Sequence, residues 1–310
     1  LPCLEQDQAE KGAAYVVQSR AYLGHMDRGH EGILTMRSSI TLLFVPGDRP
    51  ERYAKAATSG ADAIIIDLED AVAPANKVQA RTALCHVVAL PADMDIFVRV
   101  NAVNTPWHEE DLAAIASLPL SGLMLAKTES AHDVEQASEV VAGQPVIALL
   151  ETALGLSRAR EISASACVRR LAFGSIDYCA DIGAAHRREP LLAARSEIVL
   201  ASRLSSLLSP IDGVCTSLGE EALLEDHARY ALDLGFGGKL CIHPSQIAPV
   251  RNGFAPTREE LAWAQRILAT GEDGATSVDG TMVDAPVRVR ARQILRRANR
   301  AGTAIQEEAS

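Results

Sequence analysis

Short apolar runs recur along the chain, and eight of them stop at a polar or charged residue. In order they are LLFVPGD ending at Asp48, AIIIDLED carrying Asp67, Glu69 and Asp70, IFVRVN with Arg99 and Asn101, and GLMLAK at Lys127. VIALLE at Glu151, LAFGSID at Asp177, GVCT at Thr216 and KLCIHP at His243 follow. Stretches of helical period lie between them, among them RPERYAKAATSGA, HEEDLAAIASL and EEALLEDHARYALDLG. Short apolar runs alternating with helical segments give βαβ units. Eight of them predict an α/β chain folded as a closed (β/α)8 TIM barrel, whose parallel strands bring their C-terminal residues to one mouth. Here that mouth collects carboxylates, an arginine, a lysine and a histidine.

Both ends depart from this rhythm. Residues 1–36 form an N-terminal appendage with no apolar core of the kind a secretory signal carries, and no chemistry is assigned to it. Residues 37–268 make the barrel. In APTREELAWAQRIL, Thr257 and Glu260 stand at capping-box spacing, which predicts a helix start there. Residues 269–310 then read as a loop, GEDGATSVDGT, followed by MVDAP and a basic helix, VRVRARQILRRANR. This tail is expected to act as a C-terminal lid or arm.

Composition narrows the class. A chain of 310 residues suits one barrel of roughly 250 residues with extensions. The net charge of −10 argues against a nucleic-acid partner, which would need a cationic footprint. No apolar run reaches the roughly 18 residues that a membrane span requires, so a soluble protein with no membrane partner is expected. Six cysteines are scattered without a CxxC pair, as suits reduced thiols and a cytoplasmic location.

Glu151 and Asp177 close successive runs. Two carboxylates at a barrel mouth can hold one hard divalent cation, with water and substrate oxygens completing the shell. Each could equally cap the helix that follows. Arg99 lies in an apolar strand, where an unpaired cation is costly. It is either half of an ion pair with Asp67 or Glu69, or a planar clamp on a substrate oxyanion. Strand alternation sends Asp67 and Glu69 to one side, where two carboxylates need a cation or a shared proton between them. His243 precedes proline and is read as fixing the loop. GFGGK precedes its strand, which weakens it as a phosphate loop.

Taken together, PGDRPER, IIIDLEDAV, FVRVN, ALLETALG, LAFGSIDYCADIG, GFGGKLCIHPSQI and DGTMVDAP resemble the citrate lyase β-subunit-like proteins of the HpcH/HpaI aldolase superfamily. The resemblance runs from about Ser38 to about Arg297. It implies a carbon–carbon lyase that depends on Mg2+ (or Mn2+) and cleaves a 3-hydroxyacyl-CoA such as citryl-, citramalyl- or malyl-CoA. Glu151 and Asp177 match the family's metal carboxylates, and Arg99 its active-site arginine. Asp284 matches an acid/base aspartate on the lid, although Asp-Ala-Pro is also a good helix entry. A homotrimer or hexamer with lid exchange is implied as well.

For the reaction so implied, Asp67, Glu69 or a metal-bound water is the candidate base for the hydroxyl. Arg49 and Lys77 are candidates for the nucleotide end of CoA, with Arg52 and Arg81 nearby. Two other readings stay open: a CoA-independent aldolase acting on a 4-hydroxy-2-oxo acid, and a β subunit that takes its acyl group from a carrier protein.

Overall fold

The segment Ala63–Asp67 shows why the strands read as unbroken apolar runs. Ile64 and Ile66 pack outward in a cluster with Leu43, Val45 and Val98, whereas Ile65 packs inward with Leu42, Phe97 and Ile147. Both faces of a parallel strand are covered in this architecture, so alternation disappears from the sequence. Each fully buried isoleucine contributes roughly 1.5–3 kcal/mol.

A computed structural model describes residues 38–270, 276–278 and 281–300. The expected appendage, residues 1–36, lies outside the described residues. Eight strands close a parallel barrel in chain order: β1 (Thr41–Pro46), β2 (Ala63–Asp67), β3 (Asp95–Val100), β4 (Gly122–Leu125), β5 (Val146–Leu150), β6 (Val168–Phe173), β7 (Ile211–Asp212) and β8 (Gly238–Cys241). The barrel shuts where Thr41, Leu42 and Leu43 pair with Lys239, Leu240 and Cys241.

Helices wrap the barrel: α1 (Tyr53–Ala57), α2 (Lys77–Ala83), α3 (His108–Ile115), α4 (Ala131–Val140), α5 (Ala153–Ser157), α6 (Ala159–Ala164), α7 (Ser175–Ile182), α8 (Arg188–Leu204), α9 (Glu221–Leu234) and α10 (Ile247–Phe254). Beyond them come α11 (Arg258–Ala269), a hairpin of β9 (Thr276–Val278) and β10 (Thr281–Val283), and α12 (Ala285–Arg300). The TIM barrel predicted from the pattern is therefore the fold. None of the described helices is long and apolar enough to cross a membrane.

Three local expectations change. The seventh strand is not GVCT but the two residues before it, Ile211 and Asp212, because pairing ends where the Gly213 carbonyl turns to accept from the Lys239 ammonium. The stretch expected as a loop after α11 contains the first strand of a short antiparallel hairpin, and the second strand begins at its last residue, Thr281, and runs into MVDAP. Asp177 does not end a strand: β6 stops at Phe173, and Asp177 sits in the first turn of α7.

The capping box is present as read, with Thr257 Oγ1 accepting from Glu260 N at 3.1 Å and Glu260 Oε2 accepting from Thr257 N at 2.8 Å. Ala264 and Ile267 of α11 share an apolar cluster with Val283, Ala291 and Ile294. The helix before residue 269 is thus packed together with the arm.

Candidate active site

Register sets the first pair. Ala63, Ile65 and Asp67 lie opposite Asp95, Phe97 and Arg99 on the neighbouring strand. Ile65 and Phe97 fill the barrel interior, so two residues further on Asp67 and Arg99 emerge on the same face at the mouth. Arg99 Nε donates to Asp67 Oδ1 at 2.7 Å and Nη2 to Oδ2 at 2.6 Å. The backbone N–H groups of Glu69 and Ala71 donate to the same two oxygens at 2.8 and 2.9 Å. Burial alone would raise the Asp67 carboxyl, but Arg99 and these hydrogen bonds hold it below the usual carboxylate range. With both oxygens occupied, Asp67 is placed to fix Arg99 rather than to accept a proton.

Arg99 also approaches Glu69 Oε2 with Nη1 at 2.9 Å, and its guanidinium carbon stands 4.7 Å from the centre of the Phe44 ring. Its carboxylate partners more than offset burial and raise its pKa. A guanidinium has five N–H donors. Two are hydrogen-bonded to Asp67, and Nη1 stands at ion-pair distance from Glu69 and, at 3.6 Å, from Asp70.

Lys127 closes the other side of Glu69, pairing through its ammonium with Glu69 Oε1. Its backbone is left-handed, with φ of 46°, and its N–H donates to Glu151 Oε1 at 2.7 Å. Glu69 is buried between two cations, and burial still raises its pKa. Lys127 was visible as a strand-end lysine in the sequence, but its part in placing Glu69 and Glu151 was not; the unusual backbone angle has no sequence signal in Ala-Lys.

Glu151 follows β5 directly and is almost wholly buried. Burial pushes its carboxyl up to about 8, Glu69 and Asp177 adding to the rise while Arg99 and Lys127 oppose it. Gly174 leaves the room that Glu151 needs: a Cβ there would lie 2.3 Å from Glu151 Oε2. The structure thus brings Glu151 and Asp177 within electrostatic reach of each other, from a strand end and a helix start. Among the described residues no group of three or more His, Cys, Asp or Glu side chains forms a metal cluster. Two carboxylates are the hard oxygen donors that Mg2+ takes. A buried carboxylate whose ionisation is resisted by its acidic neighbours is also a place where a cation is stabilising.

The remaining expected residues are placed as follows. Lys77 is buried, and its ammonium donates to Leu68 O at 2.6 Å, Glu69 O at 2.7 Å and Asn101 Oδ1 at 2.8 Å. An ammonium has three protons, so Lys77 is spent on holding the β2 loop to the end of β3 and offers nothing to a phosphate. Asn101, which completes this tie, is itself held by Asp111 Oδ2 at 3.0 Å from its backbone N–H.

Arg49 is exposed in the loop after β1, 3.9 Å from Glu51. His243 caps a short turn, with Nδ1 accepting from Ser245 N at 3.2 Å. Asp284 caps α12, accepting at Oδ1 from Val287 N at 3.2 Å. Helix entry, one of its two expected roles, is therefore present.

A parallel (β/α)8 barrel whose mouth gathers buried carboxylates, a clamped arginine and a lysine has the layout of an enzyme active site. Residues 40–244 match the HpcH/HpaI aldolase/citrate lyase family, and the chain belongs to that family. Residues 203–303 also match the carbon–carbon bond lyases of the TIM-barrel fold.

Among relatives, a citrate lyase subunit beta-like protein of Mycobacterium tuberculosis is 41% identical over 269 residues, covering 84% of this chain and 95% of that protein. A (3S)-malyl-CoA thioesterase of Cereibacter sphaeroides is 34% identical over 269 residues, covering 83% and 94%. The solved structure of CitE from Mycobacterium tuberculosis, in complex with magnesium, acetoacetate and coenzyme A, aligns with a TM-score of 0.78 at 40% identity. It covers 85% of this chain and 100% of that one.

Proposed function

We propose that this protein is a Mg2+-dependent carbon–carbon lyase that cleaves a 3-hydroxyacyl-CoA of the citryl-, citramalyl- or malyl-CoA type to acetyl-CoA and a 2-oxo acid. The observation that carries the reading is the buried Glu151, near Asp177 at the same mouth as the Arg99 guanidinium. The relatives named above, one solved with magnesium and coenzyme A, support it.

In the cleavage direction Glu69 is the best-placed base, because it is held between Arg99 and Lys127 and burial raises its proton affinity. It would take the proton of the 3-hydroxyl. The oxygen's electron pair then forms the carbonyl, the C2–C3 bond breaks, and its electrons pass to the thioester as an enolate. The Arg99 guanidinium would stabilise negative charge as it grows. Asp67 would keep that guanidinium planar to the site, without reorganisation during the step. A divalent cation held by Glu151 and Asp177 would polarise substrate oxygens. Asp284 would return a proton to the enolate carbon. Its position as the cap of α12 suits a lid that closes on a neighbouring subunit, in a homotrimer or hexamer.

The test is a substrate panel: citryl-, citramalyl- and malyl-CoA, and a free 4-hydroxy-2-oxo acid, each with Mg2+ and then with EDTA. Metal-dependent release of acetyl-CoA from one thioester supports the proposal and names the substrate. Turnover of the free acid alone would move the protein to the CoA-independent aldolase reading. Turnover only of a carrier-protein thioester would make it a citrate lyase β subunit.

A further inference from the structure

A second charged region lies outside the barrel. Between the outer face of β7 and β8 and the first turns of α8 and α9 there is a cavity of about 330 Å3. Arg187, Arg188, Arg195 and Lys239, the carboxylates Glu189, Asp212 and Asp226, and His186 and His227 line its polar side, and Leu191, Val214, Leu223 and Tyr230 its apolar side. Ile211 and Leu240 point into the barrel. Their neighbours Asp212 and Lys239 therefore face the helix layer, away from the mouth that holds Arg99 and Glu151.

Charge does not balance in the buried part of this cavity. Arg195 Nε donates to Asp212 Oδ1 at 2.8 Å, and Lys239 Nζ to Asp212 Oδ2 at 2.6 Å. One buried carboxylate thus serves two buried cations. The nearby Asp226 is already paired with Arg188, which lies over the Tyr230 ring at 4.5 Å. Arg195 is itself 7% exposed, and its Nη1 is buried with no hydrogen-bond partner. An excess buried positive charge with an unused donor is costly unless a counter-charge reaches it.

Two histidines report the same field. The His186 and His227 pKa values are lowered, first by burial, and then for His186 by Arg195 and Lys239, for His227 by Lys239 and Arg188. The surroundings disfavour a further positive charge.

We propose that this cavity binds a small anion bearing a carboxylate or phosphate group, seated on Arg195 with His227 and Arg187 at its rim. Arginine forks suit both groups, and the apolar wall of Leu191, Leu223 and Tyr230 would take a short carbon body. This site is independent of the proposed lyase chemistry.

The experiment is calorimetric titration of the full chain with inorganic phosphate and, separately, with malonate, alongside thermal melts. Wild type is compared with a double variant R187Q/H227Q at the rim, with R195K, which keeps a charge for Asp212 but loses the fork, and with E151Q at the barrel mouth. The expected result is saturable binding of at least one anion with a raised Tm. That binding should weaken at least tenfold in R187Q/H227Q and in R195K, and persist in E151Q. The rim residues are partly exposed, so the double variant remains informative even if R195K does not fold. Binding of phosphate alone or malonate alone would identify the group recognised. Saturable binding of neither, or binding untouched by R187Q/H227Q, would overturn the proposal.

Discussion

Asp67 and Arg99 are register partners on adjacent strands, joined by two hydrogen bonds of 2.7 and 2.6 Å between one carboxylate and one guanidinium. The pair is the last interior position of β2 and β3, one step above Ile65 and Phe97. The barrel core therefore ends in an ion pair, and everything at the mouth is built on it.

Removing half of a buried pair leaves the other half uncompensated. D67N is expected to cost about 3 kcal/mol in urea unfolding. R99K keeps the charge but loses the fork. Its kcat is expected to fall on the order of 100- to 1,000-fold while its fold is kept, which steady-state kinetics and circular dichroism would check together.

Gly174 lies in close contact with the Glu151 side chain. In G174A the new methyl would meet Glu151 Oε2 at 2.3 Å and push that carboxylate out of place. Affinity for Mg2+ is expected to fall roughly 10- to 100-fold, by analogy with the loss of residues that orient metal ligands. Calorimetric titration of the metal checks this without any substrate. Unchanged affinity would argue that Glu151 is not a ligand.

Asp284 carries a structural role that any catalytic role must be separated from. Asparagine caps a helix about as well as aspartate, whereas alanine costs about 1 kcal/mol. D284N should therefore melt like the wild type and lose roughly 100-fold or more in kcat if the carboxyl moves a proton. D284A should lose both. Equal activity of D284N and wild type would leave Asp284 as a cap alone.

Asp212 gives a pH dependence. Burial alone would raise its carboxyl, but Lys239 and Arg195 hold it below the ordinary 3.8. A carboxyl whose folded pKa is depressed contributes stability that is present above the unfolded pKa and is lost as pH falls through the folded one. Unfolding free energy should therefore drop as pH falls below about 4. In D212N that part of the drop should vanish, and the protein should be less stable at pH 7. Parallel curves for the two proteins in urea unfolding would count against this account.

The strands and the mouth were legible in the sequence where burial is two-sided. AIIID and FVRV read as strands, and their terminal Asp67 and Arg99 fell where a barrel places functional groups. GVCT misled because Asp212, a charged residue facing the helix layer, interrupts the apolar run that the real strand begins. Asp177 was read onto a strand because LAFGSID is apolar up to Phe173, yet Gly174 and Ser175 already start the turn into α7. Lys77 read as a candidate cation for the nucleotide end of CoA. Only the fold shows that its ammonium is enclosed by Leu68, Glu69 and Asn101. The left-handed Lys127, which joins Glu69 to Glu151, depends on a backbone angle that its residue type does not announce.

The central claim concerns which bond breaks, and product balance tests it most directly. The wild-type protein would be given the thioester it turns over in the presence of Mg2+, and all products would be quantified. The account predicts acetyl-CoA and a 2-oxo acid in equal amounts, with neither formed after EDTA or by E151Q. Free CoA and an intact hydroxy acid would contradict it, since those products mean that the thioester, and not the carbon–carbon bond, had been cleaved.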